Sequence, residues 1–419
     1  MIKNIIKTLK EIKEVSDYSI IESKEYSNQA FFVLGKLETT RVVNVTEYLV
    51  TIYNRHDSKI GSSSFVISHK LSKKELVAKI NEALYASKFI FNKDYSLVEG
   101  LKKKSINDKE FEDSFDVMVE KIHSIYSNAS NASAKFNAVE VFYNEKKNHI
   151  VNSKGVNLSN TVYSLNIESI PSFDGKDAKV ELYRYDEYVS LDYDLIKKNA
   201  EEAIEDVKAR SEAKKIEGIG ECDIILRNND TFSFFENAIA DFSYRSVLSG
   251  ENKSVIGDNI QSLKPKTKIS ISLTPSSKAN SFDRDGILLS KIDIIKGGKV
   301  LNYYGSNQFG QYLGIRPSGV PDSLFVKRGN KEKEQLFGGR FLEVIALSGI
   351  QIETRANYIG GEIRLAILHE NGKKTPVSGI SFSGSYEDAL NSALLSKETI
   401  KIKGYEGPKY IKIKNQNVM

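Results

Sequence analysis

Two hydrophobic periods share the first half of the chain, one helical and one extended. Ser72 followed by Glu75 forms a capping-box sequence, which predicts the start of a helix. The apolar stripe behind it recurs at helical spacing, at Leu76, Ile80, Ala83, Leu84 and Ser87. A second stripe predicts a long helix over about 194–214, with acidic residues early, where they complement the helix dipole, and Gly218 as a stop signal.

Between these helices the pattern becomes alternating. Residues 138–143 and 149–156 alternate apolar with polar side chains on either side of the polar stretch Asn-Glu-Lys-Lys-Asn at 144–148. Alternation interrupted by a polar stretch is typical of two strands joined by a turn. We therefore predict a hairpin with its turn at 144–148.

Period two dominates after Cys222. Alternation over 268–273, 292–294, 300–304, 362–368 and 399–403 predicts strands, and the pairs Gly297-Gly298 and Asn371-Gly372 supply the positive-φ positions of tight hairpin turns. Five of the 27 glycines precede residue 218, so the second half is rich in turns. We predict an α+β protein with an N-terminal α+β domain over 1–125, a middle α+β segment over 126–217, and a mostly antiparallel, barrel- or sandwich-like C-terminal domain over 218–419.

Composition narrows the class of protein. A chain of 419 residues can bury more than one core, and no apolar run approaches the roughly 18 to 20 residues needed to span a bilayer. The single cysteine, Cys222, favours a reducing compartment, and the N-terminal residues interleave Lys with apolar positions as a cytosolic first helix does. A net charge of +5 without a basic recognition element argues against nucleic-acid binding. We expect a cytoplasmic protein that is not bound to a membrane.

The sequence motifs of common catalytic sites are incomplete in this chain. A zinc peptidase needs two histidines one helical turn apart, and no two of the five histidines lie that close in sequence. The segment 305–310 has phosphate-loop glycine spacing but lacks the following Lys and hydroxyl, so we interpret it as an ordinary loop. Asp283 and Asp285 have the spacing of a carboxylate pair for acid–base work, but we favour turn structure next to Gly286 as their role, with contact to a substrate or a subunit as the alternative.

The order of residues from 281 to 319 carries a family resemblance. Phe282, Asp283, Asp285 and Gly286, then Gly297-Gly298 and Tyr304, stand where the TldD/PmbA family has its Phe-Asp-acid-acid-Gly segment, its strand and its Gly-bounded turn; Arg284 replaces an acidic residue. Residues 355–373 resemble the family's last long hairpin, ending in Glu370-Asn371-Gly372. The chain thus resembles the paired subunits of an intracellular metallopeptidase, once called modulators of DNA gyrase.

The resemblance also implies a subunit type. In the family's catalytic subunit the metal ligands lie on a helix that here resembles residues 231–242, and with Glu236 on the motif's Glu, Phe235 and Ala240 take the two His positions. Neither residue can bind zinc. The chain therefore resembles the TldE or PmbA type, which lacks the metal motif and pairs with the subunit that has it.

The sequence thus predicts a non-metal subunit of a heterodimeric zinc peptidase that binds unfolded or leader peptides, with no cofactor of its own and zinc in a TldD-like partner. We predict no catalytic residues in this chain. The predicted peptide- or subunit-binding residues are Phe282, Asp283, Asp285, Gly286, Tyr303, Tyr304 and Gly310. A stand-alone peptide-binding or scaffold protein, as a homodimer, is the alternative, and a DNA-associated modulator is suggested only by the family's older name. The peptide substrate, the identity of the partner and any catalytic contribution of this subunit stay open.

Overall fold

The computed structural model describes residues 1–56, 58–100, 104–175, 179–402 and 404–419. In its N-terminal part the helices are α1 (Ile2–Glu11), α2 (Lys73–Ser87), α3 (Phe115–Ala129) and α4 (Tyr193–Glu212). The strands there are β1 (Asp17–Val33), β2 (Lys36–His56), β3 (Lys59–Ile67), β4 (Asn92–Lys93), β5 (Lys104–Asn107), β6 (Ala134–Asn152), β7 (Asn157–Asp174), β8 (Lys179–Glu181) and β9 (Arg184–Tyr188).

The C-terminal part begins with β10 (Gly220–Arg227). Its helices are α5 (Asn229–Ala240), α6 (Tyr244–Leu248), α7 (Asn307–Leu313), α8 (Lys333–Leu336) and α9 (Tyr386–Ser392). Its further strands are β11 (Ile271–Thr274), β12 (Ile292–Lys296), β13 (Lys299–Val300), β14 (Ser323–Val326), β15 (Phe341–Glu353), β16 (Tyr358–Glu370), β17 (Lys373–Val377), β18 (Ile380–Ser385), β19 (Leu394–Leu395), β20 (Thr399–Ile402), β21 (Tyr405–Pro408) and β22 (Tyr410–Val418).

One large sheet organises the N-terminal part, in the order β4-β3-β2-β1-β6-β7-β5, with β8 and β9 paired to β7. Helices α3 and α4 pack on one face of it over an apolar cluster that includes Met118, Ile122, Val141 and Ile196. A second cluster, with Ile20, Val50 and Ile80, lies where α1 and α2 cover the strands.

The C-terminal part holds two sheets. Strands β10, β15, β16, β18 and β22 pair in sequence and close on themselves, because β22 also pairs with β10, which forms a small closed barrel among the described residues. The second sheet runs β13-β12-β11-β14-β21-β20. Helix α5 packs between them, with Phe234 and Phe235 fully buried in the largest core cluster. The predicted α+β class, with a mostly antiparallel, barrel-like C-terminal region, is confirmed.

Local sequence signals account for the helix ends and turns. The capping box at α2 forms as predicted, with Ser72 Oγ accepting from the Glu75 N–H at 3.3 Å and Glu75 Oε2 accepting from the Ser72 N–H at 2.8 Å. Asn371 and Gly372 take φ values of 51° and 75° in the turn between β16 and β17.

The predicted hairpin over 138–156 is wrong in its turn. β6 is unbroken through 144–148 and pairs with β1 on one side and β7 on the other, so backbone hydrogen bonds hold this polar stretch extended. The chain turns at 153–156 instead, where Gly155 has φ +93°. The strand predicted over 300–304 is also too long: β13 ends at Val300, and Tyr304 forms only an isolated bridge with Ser243.

In the described part of the chain every helix is too short or too polar to cross a membrane. The domain bounds at 125 and 217 stay predictions; strands from both sides of residue 125 pair within the one N-terminal sheet.

Candidate functional site

A tight turn encloses the predicted residues Phe282–Gly286. Asp283 Oδ1 accepts hydrogen bonds from the backbone N–H groups of Asp285 at 3.0 Å and Ile287 at 2.9 Å, an Asx turn made by the side chain's own segment. Gly286 has φ +88°, and a Cβ there would lie 2.7 Å from Val156 Cγ1. Glycine is therefore required at 286 for two reasons, the positive φ of its backbone and the close approach of Val156.

The same turn joins the two halves of the protein. Phe282 packs against the buried cluster of Ile150, Val156 and Leu158, which belongs to the end of β6, the turn after it and the start of β7. Phe282, which directly precedes Asp283, thus anchors the C-terminal part on the N-terminal sheet. We call residues 282–286 together with α7 the joint.

Helix α7 continues the joint through hydrogen bonds. Asp285 Oδ2 accepts from the Asn307 N–H at 2.9 Å, at a helix start where Ser306 makes no side-chain cap. Asn307 Nδ2 donates to the Ser96 carbonyl at 2.7 Å, and Ser96 N–H donates to Gln311 Oε1 at 3.0 Å. One predicted carboxylate therefore caps α7, and α7 holds the loop after β4.

Gly310, within the joint, and the two predicted tyrosines that precede α7 lie in packed surroundings. A Cβ at Gly310 would approach Pro317 to 3.1 Å, so α7 sits closely on the following loop. Tyr303 Oη accepts from the Ile256 N–H at 3.2 Å, and the Tyr304 carbonyl accepts from the Tyr244 N–H at 2.7 Å. Burial raises the pKa of Tyr304 to about 12, with a smaller contribution from the charge of Glu236. These tyrosines support neighbouring backbone.

Burial also controls the electrostatics of the carboxylate pair. Loss of solvent and, to a smaller extent, the charge of Asp285 raise the pKa of Asp283 to about 6, although the turn's own N–H groups oppose both effects. A carboxyl with a pKa near 6 has the strength of an acid–base group. Its hydrogen-bonding oxygen is already occupied by the turn, which favours the structural interpretation of Asp283.

A large cleft lies apart from the joint, between the N-terminal sheet and the second C-terminal sheet, with a volume of about 1240 Å³. Its floor is one face of β6 and β7, and the floor side chains are Asn144, Lys146, Asn148, Val162, Ser164 and Asn166. None of the seven predicted site residues lines it. The alternating polar positions of β6 were the sequence signal for this cleft, and we interpreted them as a turn.

The far wall of the cleft is a loop held to both halves. Ser276 Oγ donates to Asp322 Oδ2 at 2.6 Å, and Asn280 Nδ2 donates to the same oxygen at 2.9 Å. The Ala279 N–H donates to Asp108 Oδ1 at 3.2 Å, and Asn160 Nδ2 donates to the Ala279 carbonyl at 2.9 Å. The cleft is therefore a formed concavity with a braced rim.

The C-terminal part of the chain matches a known protein family. Residues 219–419 match the family model described as the PmbA/TldA metallopeptidase C-terminal domain. This C-terminal region belongs to the TldD/PmbA family. A search of curated proteins found no match.

Solved structures share the fold over the whole length. TldE from Thermococcus kodakarensis is 16% identical with a TM-score of 0.79, and the alignment covers 100% of this chain and 99% of that one. A candidate modulator of a DNA gyrase from Thermotoga maritima is 16% identical with a TM-score of 0.77, covering 100% of both chains. Another from Bacteroides thetaiotaomicron is 16% identical with a TM-score of 0.78, covering 99% of this chain and 97% of that one. At this identity the likeness shows the fold alone.

The family's metallopeptidase name implies a metal, and the residues of α5 do not fit one. Phe235 is fully buried in the core, whereas Glu236 and Ala240 are exposed, so the helix offers one carboxylate. Within the described residues no three His, Cys, Asp or Glu side chains come together as a ligand group. Burial raises the pKa of the Cys222 thiol, which disfavours the thiolate that zinc binds.

Three of the histidines lie in separate places, each with a partner of its own. His369 Nε2 lies 3.1 Å from Glu343 Oε2, His149 Nε2 lies 2.9 Å from Asn157 Oδ1, and His123 Nε2 lies 2.8 Å from the Gly35 carbonyl oxygen. The joint brings together Phe282, Asp283, Asp285, Gly286 and Gly310, with Tyr303 and Tyr304 in the segment leading to α7. Their role in contacting a peptide or a subunit stays a prediction.

Proposed function

We propose that this chain is the subunit without a metal site in a TldD/TldE-type heterodimeric metallopeptidase, and that it binds and helps to cleave unfolded or leader peptides. The observation that supports this most directly is α5. The helix that would carry metal ligands has a buried phenylalanine at one of those positions and an alanine at the other. Membership of a metallopeptidase family combined with that helix favours the supporting subunit.

The partner in this proposal is a metal-bearing TldD-like homologue, which would hold the zinc, in the cytoplasm. The likeness in fold to TldE over the full chain supports the pairing.

Co-expression with a metal-bearing homologue tests the proposal. The purified chain alone is expected to contain no stoichiometric zinc and to leave casein intact, whereas the mixture should form a complex whose peptidase activity is lost on chelation. Mass, metal content and casein cleavage measure the three parts. Cleavage by the isolated chain that resists chelators would contradict the proposal, as would one zinc bound firmly per isolated chain.

The cleft also favours the alternative, a stand-alone peptide-binding or scaffold protein that acts as a homodimer. Mass measurement separates the two functions. A stable homodimer that binds peptide, and that forms no complex with the metal-bearing homologue, would support the alternative and exclude the proposed pairing.

A further inference from the structure

The floor of the cleft is polar where a central strand is normally apolar. β6 is paired on both sides. Asn144, Lys146 and Asn148 occupy every second position and therefore share one face of the sheet. Their cross-strand neighbours on that face include Ser164 and Val162 of β7. Further along the same face, Ile150 of β6 and Leu158 of β7 are apolar and buried where Phe282 packs on them. The change from apolar to polar occurs within one sheet, so sheet formation does not require it, and it coincides with the cleft.

Stability does not explain this polarity either. Asn166, also on the floor, has a buried Oδ1 without a hydrogen-bond partner in the described structure. A buried acceptor without a partner costs free energy, so an apolar residue would serve the fold better. Amides and hydroxyls on a concave surface are the groups that hold a hydrogen-bonding ligand.

Size and charge indicate the class of that ligand. A volume of about 1240 Å³ exceeds the roughly 300–1,000 Å³ of pockets for drug-sized ligands, so the cleft suits an extended chain molecule. Seven carboxylates line it against four lysines: Glu25, Asp108, Glu110, Glu112, Asp113, Glu187 and Asp322 against Lys109, Lys121, Lys146 and Lys401. The whole chain has a charge of +5, so the cleft is acidic within a basic protein.

We propose that the cleft between β6–β7 and the Ser276–Asn280 loop binds an extended polypeptide segment that carries Lys or Arg side chains. The backbone of that segment hydrogen-bonds to the floor amides and hydroxyls, and its cationic side chains meet the surrounding carboxylates. This inference rests on the proposed function and adds to it a site and a charge preference for the peptide.

Direct binding to the full-length chain tests the inference without any peptidase assay. The probes are fluorescein-labelled unstructured peptides of repeating Lys-Ser-Gly and repeating Glu-Ser-Gly, followed by fluorescence anisotropy. The basic peptide should bind at least about tenfold more tightly, and the difference should shrink at high salt, since exposed charges are screened.

Two pairs of variants locate the site. Ser164→Trp fills the floor and should weaken binding of the basic peptide by at least about tenfold, whereas Thr40→Trp, on an exposed position of β2 outside the cleft, should not. Glu25→Lys reverses an exposed cleft charge and should weaken binding about fivefold, whereas Glu38→Lys, exposed near the β1–β2 turn, should change it little. The charge pair keeps the test decisive if the tryptophan variant misfolds.

The outcomes separate the site from the function. Equal binding by all variants would place the peptide elsewhere and overturn the cleft assignment, while chelator-sensitive cleavage by the complex would still support the proposed function. Failure of the wild-type chain to bind either peptide would also overturn the assignment. Tight binding in the cleft by a chain that never forms a peptidase with its homologue would support the site and reject the proposed function.

Discussion

At the joint and at the cleft, the N-terminal sheet faces the C-terminal part in opposite ways. At the joint, an aromatic ring packs on an apolar cluster, a glycine sits against Val156, and both Asp283 and Asp285 accept hydrogen bonds from backbone N–H groups. At the cleft, a polar sheet face stays apart from the opposite wall, and one floor amide oxygen lacks a partner.

The difference shows where family resemblance and binding capacity separate. The Phe282–Gly286 segment, which carries part of the resemblance, lies at the joint and packs on the N-terminal sheet. The polar sheet face and the charge imbalance are at the cleft, which those residues do not line. A motif can therefore identify a family through its architecture while the ligand binds elsewhere.

The largest effect is expected for Gly286→Ala at the joint. A Cβ at this position meets Val156 at 2.7 Å and must adopt φ +88°, so we expect the variant to lose about 3 kcal/mol of stability against urea. Gly35→Ala is the matched control, since Gly35 has φ +74° but nothing within 4 Å of its Cβ position; it should lose only about 1 kcal/mol. Equal losses would show that the joint is not tightly packed.

A pH-dependent effect is expected for Asp283→Asn. Burial raises the pKa of Asp283 to about 6 in the folded chain, so the folded state holds the proton more tightly than the unfolded chain, whose pKa is about 3.9. Stability from this carboxyl is greatest below pH ~3.9 and is lost as the pH rises through about 6. Asn keeps the accepting oxygen and stays neutral, so at pH 7 we expect it to be more stable than wild type by about 1 to 2 kcal/mol.

Urea midpoints of both proteins between pH 4 and pH 7.5, on either side of that pKa, check this expectation. The two curves should converge at the acidic end and separate as the pH rises. Parallel curves would mean that the carboxyl of Asp283 is solvated, which would make the joint resemble the cleft.

A smaller effect is expected where Asp285 caps α7. Asp285→Ala leaves the Asn307 N–H without its acceptor and should cost about 1 kcal/mol, whereas Asp285→Asn, which keeps an acceptor, should cost less than half of that. Thermal unfolding of the two variants side by side measures the contribution of the cap to stability.

In the proposed complex, the double variant Asp283→Ala with Asp285→Ala should also lower peptidase activity by loosening the joint. Full activity in a double variant that folds and pairs would reject these residues as a functional site.

The smallest effect is expected at the cleft. Asn166→Ala removes an amide oxygen that has no partner among the described residues, so we expect stability to stay constant or to rise by about 0.5 kcal/mol. Val162, the apolar floor residue, offers the comparison: Val162→Ala should be mildly destabilising. A clear loss of stability in Asn166→Ala would indicate that the polar floor serves the fold.

Local signals predicted much of this structure correctly. The capping box at Ser72 and Glu75 and the turn at Asn371-Gly372 depend on contacts within a few residues, and each formed where the sequence placed it. The joint was found as a motif, but its partners Ser96 and Val156 were missed, since they lie far away in sequence.

The hairpin error has the same physical origin. Polar residues at 144–148 are locally compatible with a turn, but strands β1 and β7 satisfy the backbone of β6 on both sides and keep it extended. No pattern within the segment reports hydrogen bonds to neighbours that are distant in sequence. For the same reason, the sequence pattern did not predict the cleft that this polar face forms.

The sequence by itself determined the α+β class, the helix caps, the tight turns and the absence of histidines at zinc-ligand spacing, because these depend on residue type and short spacing. The tertiary structure alone decided which residues of the two halves meet. It placed the Phe282–Gly286 turn in a packed joint, and it turned the polar side of β6 into the floor of an open cleft. Burial, pKa shifts and concavity arise only when distant segments exclude water from one another or leave room for it.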